Sequence, residues 1–352
     1  MRILVQKFGG TSVATKDSRN YVYKKIEDTI NNGYALIVVV SAMGRNGDPY
    51  ATDTLLNLLK NEYPSVSKRE LDVIFSCGEN ISGTVITSNL QKRGYKSVYL
   101  TGAQAGIITD NNYTDAKIIR IDNTGIISLL KDGYVVVVGG GQGISENGDT
   151  TSLGRGGSDT TACALGVSAK AAEIDIFTDV EGIMTADPRK VEDAILLDEI
   201  SYEDCCNLAN KGAKVIHPRA VEVAMTNPEI KLYVKSTFSD HPGTLIGEEK
   251  EEFKDILKLT GIAGIENIDF TNGTKSTEAC EISLVGSNFL KYPEFGEELR
   301  NRLTSEKIDI YKLSNNDRCI TYVINNKYYA KAIELIHYYI VKQLNQLLDY
   351  NI

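Results

Sequence analysis

Two glycine-rich segments hold side chains whose types and spacing could do chemistry. In the first, Lys7 to Ser12 (KFGGTS), a cation ends an apolar run and two glycines follow it. Backbone N–H groups in such a turn can approach an anion closely. The pattern suits a phosphate, although a glycine-rich connection between a strand and a helix is often only a turn.

The second segment, Gly154 to Asp159 (GRGGSD), places an arginine among glycines at the predicted start of a helix that runs through Leu165. The Arg155 guanidinium can bind a carboxylate through two N–H groups, and a helix start attracts anions. The alternative is a loop in which Arg155 faces solvent and Asp159 only caps the helix.

Two more loops hold charged residues. Thr178 to Gly182 (TDVEG) is soon followed by Thr185 to Arg189 (TADPR), which could hold a nucleotide, but its Asp-Pro pair is equally a turn signal. Lys211 to Arg219 (KGAKVIHPR) is a further basic loop. Its His217, directly before a proline, is more typical of a structural turn than of a catalyst.

Together these loops indicate phosphoryl transfer to an amino acid. Glycines and cations suit phosphates, an arginine suits a carboxylate, and acidic residues suit an ammonium group or a metal. A carboxylate acceptor is already ionised at neutral pH, so it can attack phosphorus without a general base. Catalysis then consists of positioning and charge neutralisation.

The elements that must position these loops predict an α/β fold with a mostly parallel sheet. Short β-branched runs alternate with helical patterns, as in strands joined by crossover helices. Val135 to Val138 has no polar alternation and leads into the glycines of 139–143, which places that loop in the crevice where open α/β sheets collect ligands. The predicted strands are Ile3 to Lys7, Leu36 to Val40, Ser97 to Leu100, Val135 to Val138 and Ile174 to Phe177.

Two helices in this part have clear signals. Val22, Ile26 and Ile30 recur at four-residue spacing, and Asn31-Asn32-Gly33 supplies a stop. Ser201 with Asp204 resembles a capping box for a helix through Asn210, with Gly212 just past its end.

After a charged stretch, Glu248 to Asp255, which predicts a solvated linker, the pattern changes to a ferredoxin-like βαββα order. Leu259 to Ile265 predicts one more strand before it. The chain therefore divides into a catalytic domain at 1–247, a linker at 248–258 and a shortened regulatory domain at 259–352. The predicted elements are the strand Glu281 to Val285, the helix Pro293 to Leu303, the strand Ile308 to Leu313, a turn at Ser314 to Asp317, the strand Cys319 to Ile324 and a helix from Lys327.

Composition excludes several classes of protein. The 352 residues exceed what one hydrophobic core usually supports, so two domains are expected. A net charge of -9 argues against general nucleic-acid binding. Six cysteines without a CxxC motif indicate reduced packing residues, and three histidines without a paired Cys/His cluster make a zinc site improbable. No apolar run is long enough to span a bilayer and Met1 to Phe8 is strand-like, so a cytoplasmic protein is expected.

Six ordered motifs give the chain a family resemblance. Across residues 1 to about 247 it resembles the aspartate kinase branch of the amino acid kinase superfamily. That resemblance implies a three-layer sandwich with a mostly parallel sheet and a C-terminal ferredoxin-like ACT module. It also implies transfer of the γ-phosphoryl group of ATP to the β-carboxylate of L-aspartate, the first step of lysine, threonine and methionine biosynthesis. The motifs are KFGGTSV (Lys7 to Val13), SAMG (Ser41 to Gly44), CGE (Cys77 to Glu79), GRGGSDTTA (Gly154 to Ala162), TDVEGIMTADPR (Thr178 to Arg189) and GAKVIHPR (Gly212 to Arg219).

The resemblance also implies roles for individual residues. Lys7 and Asp159 are the expected catalytic pair, with Asp159 orienting Lys7 or the transferring group. Arg155 would bind a substrate carboxylate and Glu79 the α-ammonium group. Met184 stands where a tyrosine is frequent in the family, and its thioether can pack on an adenine ring. The implied ATP contacts are Lys7, Phe8, Gly9, Gly10, Ser41, Thr178, Asp179, Met184, Arg189, Lys214 and Val215. The implied aspartate contacts are Thr52, Glu79, Arg155, Gly156, Gly157 and Ser158.

Mg²⁺ is expected to arrive with ATP, bound chiefly by phosphate oxygens and water, so no metal cage of protein ligands is predicted. Relatives usually have two ACT modules, whereas only one is recognisable here, so an amino-acid effector such as lysine or threonine stays an open question. The family pairs these modules between subunits, which implies a homodimer.

Two other functions compete with this reading. One is a kinase of the same fold that acts on glutamate or N-acetylglutamate. The other is a non-catalytic amino-acid sensor with a pseudokinase domain. Glu79 with Arg155 favours a free amino acid over the first, and the presence of Lys7, Arg155 and Asp159 argues against the second.

Overall fold

The computed structural model describes residues 1–251, 254–272 and 275–349. The chain forms two compact units, one of Met1–Gly182 with Arg219–Leu245, the other of Ile183–Pro218 with Ile246–Ile352. These bounds differ from the predicted division at 247 and 258, which stays a prediction. Residues 252–253 of the predicted linker and residues 273–274 and 350–352 of the predicted regulatory domain lie outside the described part of the chain.

The described helices and strands follow one another along the chain. The strands are β1 Ile3–Phe8, β2 Ala35–Val40, β3 Ser97–Leu100, β4 Ile107–Thr109, β5 Ile118–Ile121, β6 Val135–Gly139, β7 Gln142–Ser145, β8 Thr150–Ser152, β9 Glu173–Thr178, β10 Glu199–Ser201, β11 Lys231–Ser236, β12 Thr244–Gly247, β13 Lys258–Asn272, β14 Lys275–Ser287, β15 Ile310–Asn315 and β16 Cys319–Asn325. The helices are α1 Gly10–Val13, α2 Lys16–Asn31, α3 Thr52–Glu62, α4 Lys68–Lys92, α5 Thr124–Lys131, α6 Gly157–Ser168, α7 Tyr202–Asn210, α8 Pro218–Met225, α9 Pro293–Ser305 and α10 Tyr329–Asp349.

Six parallel strands form the main sheet of the first unit, in the order β11-β9-β1-β2-β6-β3. Every residue of β1 and β6 is buried, as expected of strands covered on both faces. The five predicted strands are confirmed to within a residue at each end. Because the strands are parallel, their carboxyl ends and the loops that follow them share one edge.

The first unit also contains a second, four-stranded sheet that the sequence patterns did not indicate. Its order is β5-β4-β7-β8, and its strands are only three or four residues long. A buried carboxylate fastens α4 to this region, because Asp72 accepts hydrogen bonds from the Ser152 hydroxyl at 2.6 Å and from Thr114 N at 3.0 Å. Strands of three or four residues show no clear period, and these lack the run of apolar residues that marks β3 and β6, so only their pairing reveals them.

The second unit contains the antiparallel sheet β13-β14-β16-β15 with α9 and α10. The predicted βαββα order and the additional strand before it are both confirmed. In a ferredoxin-like unit of β-α-β-β-α-β order the fourth strand follows the second helix, whereas here β13 precedes the module and pairs with its first strand, β14. The predicted turn at 314–317 is shorter than expected, because Ser314 and Asn315 still pair with β16.

The core of this unit explains why these segments form strands and helices. Alternate residues of β14 and β16, such as Ile282 and Tyr322, are buried against apolar residues of α9 and α10. Ala186, within the predicted nucleotide motif TADPR, and Val191, two residues after it, belong to the same core. Burial of this shared apolar surface therefore stabilises the module and the 183–198 segment together.

Candidate active site

Lys7 and Asp159 form a buried ion pair at the carboxyl edge of the parallel sheet. Lys7 lies near the end of β1, and Asp159 lies in the first turn of α6. The Lys7 Nζ to Asp159 Oδ1 distance is 2.7 Å, and each side chain is 11% exposed. The two predicted catalytic residues are thus in direct contact, and their charges are held where water reaches them poorly.

The loops after β1 and β2 lie in backbone contact. Gly44 N donates a hydrogen bond to Gly10 O at 3.0 Å, and Ser41 N donates one to Phe8 O at 3.1 Å. A Cβ on Gly10 would lie 2.6 Å from Gly44 O, so only glycine fits there. At Gly9 a Cβ would lie 3.5 Å from Lys7 Nζ, which places this part of the loop beside the cation.

The glycines after β6 bring the start of α6 to the same edge. A Cβ on Gly140 would lie 2.6 Å from Ser158 Cβ, and one on Gly157 would lie 2.8 Å from Gly141 Cα. The hydroxyls of Ser41 and Ser158 are 2.9 Å apart. Three loops and one helix start therefore converge, and they bring together residues predicted for the nucleotide and for the amino acid.

Glu79 enters this region from α4. Its side chain is 2% exposed, Oε1 accepts a hydrogen bond from Ala42 N at 3.2 Å, and Oε2 has no hydrogen-bond partner among the described residues. Burial raises the pKa of the Glu79 carboxyl to about 8. A buried carboxylic acid with a free oxygen is ready to ionise when a cation arrives beside it.

Arg155 stands between two glycines with left-handed backbone, Gly154 at φ +72° and Gly156 at φ +67°. Its side chain is exposed, so the guanidinium is accessible to a ligand. The end of β8 that leads into this loop is supported by Arg219, whose Nη1 donates to Leu153 O at 2.8 Å. Sequence reasoning placed Arg219 in a basic loop without a role, because no local signal indicates a partner 66 residues away.

Thr52 is the first residue of α3 and is half-buried. Before it, Arg45 pairs with the predicted nucleotide residue Asp179, with Nη2 and Oδ2 2.5 Å apart. Arg45 Nε also donates to Thr11 Oγ1 at 3.4 Å. Arg45 lies in a polar stretch without a motif, but its charge faces the same loops.

One predicted nucleotide residue needs correction. The Phe8 side chain is fully buried and stacks on Phe177 with ring centroids 4.9 Å apart, so it packs in the core. Phe8 can contribute to a ligand site only through its main chain. The neighbouring Thr178 hydroxyl donates to Asp179 Oδ1 at 3.2 Å, at the end of the strand that supports Phe177.

The remaining predicted nucleotide residues belong to the second unit. Met184 is half-buried in a bridge with Leu196, whereas Lys214 is exposed. Arg189 forms a two-point pair with Asp187, at 2.9 Å and 2.8 Å, so in this structure the guanidinium is occupied within its own loop. The roles of Met184, Arg189, Lys214 and Val215 stay predictions.

The described residues include no group of three or more His, Cys, Asp or Glu placed to hold a metal ion. No helix in the described part of the chain is long and apolar enough to cross a membrane.

Comparison with known proteins agrees with this arrangement. The model of the "Amino acid kinase family" matches residues 2–236. The chain is 36% identical to the aspartokinase of Geobacillus stearothermophilus over 399 aligned positions, which cover 96% of this chain and 97% of that protein. It is 50% identical to aspartokinase 1 of Bacillus subtilis over 272 residues, 76% of this chain and 67% of that one.

Among solved structures, E. coli aspartokinase III in complex with aspartate and ADP matches with a TM-score of 0.79 at 20% identity, covering 96% of this chain and 99% of that one. At this identity the match concerns the fold. The family model spans the parallel sheet and its loops, and one relative aligns along almost the whole chain. The protein therefore belongs to the amino acid kinase family and, within it, to the aspartokinases.

Proposed function

We propose that this protein transfers the γ-phosphoryl group of ATP to the β-carboxylate of L-aspartate and forms 4-phospho-L-aspartate. The observation that supports this most is the convergence of the Lys7–Asp159 pair, the glycine loops and Glu79 at one edge of the parallel sheet. Phosphoryl transfer needs positioning and stabilisation of charge more than covalent chemistry, and these groups supply both.

In this proposal the two ends of aspartate are held by opposite charges. Arg155 binds a substrate carboxylate, and Glu79 loses its proton and binds the α-ammonium group. Gly156, Gly157, Ser158 and Thr52 line the same space. The β-carboxylate then faces the phosphates, and it attacks as an ionised nucleophile without a base.

The nucleotide end depends on Lys7 and the glycines beside it. The ammonium group of Lys7 neutralises charge that develops on the transferring phosphoryl group, and Asp159 holds Lys7 in place. At Gly10 a larger residue would clash with Gly44 O, so glycine there lets the phosphates approach the backbone, while Gly9 N donates to Phe177 O at 3.4 Å. Ser41, Thr178 and Asp179 complete the part of this site that lies in the first unit.

Mg²⁺ would accompany ATP, held mainly by phosphate oxygens and water. Asp179 is a candidate protein ligand at the nucleotide loops, because its carboxylate is 38% exposed. The ion would neutralise phosphate charge during transfer.

The test is trapping of acyl phosphate by hydroxylamine with Mg-ATP and L-aspartate, L-glutamate, N-acetyl-L-glutamate or no acceptor. Aspartate-dependent hydroxamate supports the proposal. Product with another acceptor alone would identify a different carboxylate kinase of this fold. Absence of product with every acceptor would favour the amino-acid sensor.

We also infer a homodimer and a possible amino-acid effector at the second unit. β15 is an edge strand of the four-stranded sheet, and its Leu313 is 42% exposed, features that suit pairing with another chain. Sedimentation equilibrium would measure the mass in solution. Assays with added lysine or threonine would show whether the single module still regulates turnover.

A further inference from the structure

Thr185, the first residue of the TADPR motif, is a fully buried junction within the second unit. Its side chain has no exposed surface. Its backbone N donates to Ile195 O at 2.8 Å, and its carbonyl accepts from Ile262 N of β13 at 2.7 Å. Its hydroxyl oxygen accepts from Ile195 N at 2.9 Å. Thr185 thus connects two parts of the 183–198 segment to each other and joins that segment to β13 of the antiparallel sheet.

The same hydroxyl contacts a histidine of the C-terminal helix. Thr185 Oγ1 and His337 Nε2 are 2.8 Å apart, and His337 is 2% exposed. Burial lowers the pKa of His337, while Asp193 acts in the opposite direction. A neutral imidazole can form this bond as donor or as acceptor, since the hydroxyl retains a proton and a second lone pair after accepting from Ile195 N.

Apolar contacts fasten the segment on either side of this bond. Ala186 and Val191 lie in the same buried cluster as Ile333 and Ile336 of α10. The Lys190 ammonium lies 5.2 Å from the ring centroid of Tyr329, also on α10. A buried polar bond inside such a cluster selects one geometry more strictly than apolar packing does, because its loss leaves a desolvated polar group.

The segment that Thr185 anchors also carries Met184 and Arg189, for which nucleotide contacts are proposed above. We infer that His337 is a positioning residue for nucleotide binding: through Thr185 it holds the backbone from which Met184 and Arg189 extend. This inference rests on the proposed function. It gives α10, the C-terminal helix, an indirect role in nucleotide binding.

The experiment measures ATP affinity directly, by equilibrium dialysis of labelled ATP with Mg²⁺ and no aspartate, together with KM for ATP and kcat in the hydroxamate assay. The variants are His337→Leu, which removes the polar contact, and His337→Gln, whose amide can restore it. Thr185→Val removes the same polar contact by replacing the threonine hydroxyl instead of the imidazole. Ser283→Ala is the matched control, because the hydroxyls of Ser283 and Thr321 form a buried 2.9 Å contact in the same sheet.

We expect His337→Leu and Thr185→Val to weaken ATP binding by about fivefold, while kcat at saturating ATP stays within about twofold. His337→Gln should recover most of the affinity. Ser283→Ala should lower the melting temperature by a similar amount and leave ATP affinity unchanged. The inference would be wrong if ATP affinity were unchanged in both His337→Leu and Thr185→Val. It would also be wrong if Ser283→Ala weakened ATP binding by the same factor as these variants.

The readouts separate this inference from the proposed function. If the unaltered chain binds ATP but produces no hydroxamate, the acceptor assignment fails while the dialysis still tests His337. If the unaltered chain binds no ATP, both fail. Should His337→Leu not fold, the Thr185→Val and His337→Gln measurements decide the result.

Discussion

The two units bury charge in different ways. In the first, Lys7 pairs with Asp159, but Glu79 keeps one carboxyl oxygen without a hydrogen bond among the described residues. In the second, Asp204 is fully buried and accepts from the Thr260 hydroxyl at 2.7 Å, with Arg318 3.7 Å away. Asp204 Oδ1 also has no hydrogen-bond partner among the described residues, but Lys258 and Arg318 each lie 3.7 Å from the Asp204 carboxylate. Glu79 forms no ion pair among those residues, so its surroundings leave capacity for a cationic ligand.

Arg318 also contacts two other carboxylates of the second unit. It makes a two-point contact with Glu249, at 3.0 Å and 2.7 Å, and lies 2.6 Å from Glu203. Burial raises the pKa of Asp204, while the Thr260 bond and the nearby cations oppose that rise. The difference between the units teaches that a buried carboxyl indicates a functional site when no neighbouring cation already neutralises it.

The largest expected effect tests the first unit. Lys7→Ala should lower kcat by about 10²- to 10³-fold, because the charge is needed in the transition state. It should also destabilise the fold, because Asp159 would be left buried without its partner. Steady-state kinetics and thermal unfolding measure the two effects.

The double variant Lys7→Met with Asp159→Asn is the control for stability. Removing both charges should recover much of the unfolding temperature without recovering turnover. Near-normal turnover in this variant would show that the ion pair is structural, as in the second unit.

The second prediction tests the network around Arg318. Arg318→Ala should lower the free energy of unfolding by about 3 kcal/mol, because Glu249 loses its two-point partner and Asp204 keeps only Lys258 as a nearby cation. KM for aspartate should stay unchanged. Lys291→Ala, which removes a pair with the exposed Asp255, is the control and should change stability by less than about 1 kcal/mol. Chemical denaturation measures both, and a specific rise in the aspartate KM of Arg318→Ala would contradict the comparison.

A third prediction concerns the exposed arginine of the first unit. Arg155→Ala should raise KM for aspartate by about tenfold or more, with KM for ATP nearly unchanged, because a charge-assisted contact to the substrate is lost. Arg120→Ala, an exposed arginine on β5, should leave both constants as they are. Loss of ATP affinity in Arg155→Ala would mean that the two half-sites are exchanged.

The last prediction uses the raised pKa of Glu79. Since the folded chain keeps this proton up to about pH 8 and the unfolded chain loses it near its ordinary pKa, Glu79 destabilises the fold increasingly as pH rises between those values. Glu79→Gln should therefore raise the melting temperature more at pH 8 than at pH 5, by about 5 °C, and weaken aspartate binding. An equal shift at both pH values would indicate that Glu79 is ionised in the free protein.

Much of the fold could be predicted because its signals are local. The apolar run Val135 to Val138 and the stop at Gly33 each depend on a few neighbouring residues, and the structure confirms both. The four-stranded sheet β5-β4-β7-β8 could not be predicted, since its strands are too short for a clear period and lack a run of apolar residues. The long helix α4 was also unassigned, because the polar residues and glycines around Glu79 interrupt its apolar face.

The candidate site, like the fold, could be predicted only in part from the sequence. Its motifs assigned roles to Lys7, Arg155, Asp159 and Glu79. They gave none to Arg219, within GAKVIHPR, or to Arg45, because the partners of both arginines lie far away in the sequence. Phe8 was selected with its neighbours and proved to be a core residue, because alternation along β1 turns its ring away from Lys7.

By itself, the sequence determined the family, the parallel strands, the ferredoxin-like module and the identity of the chemical groups. The strands and the module follow from apolar periodicity, and the family and its chemical groups from six ordered motifs, all of which are properties of short segments. Only the tertiary structure decided that the Lys7–Asp159 pair and Glu79 are shielded from water and that β13 completes the second sheet. Pairing and desolvation depend on residues brought together by packing, and no local pattern encodes the water that a folded environment excludes.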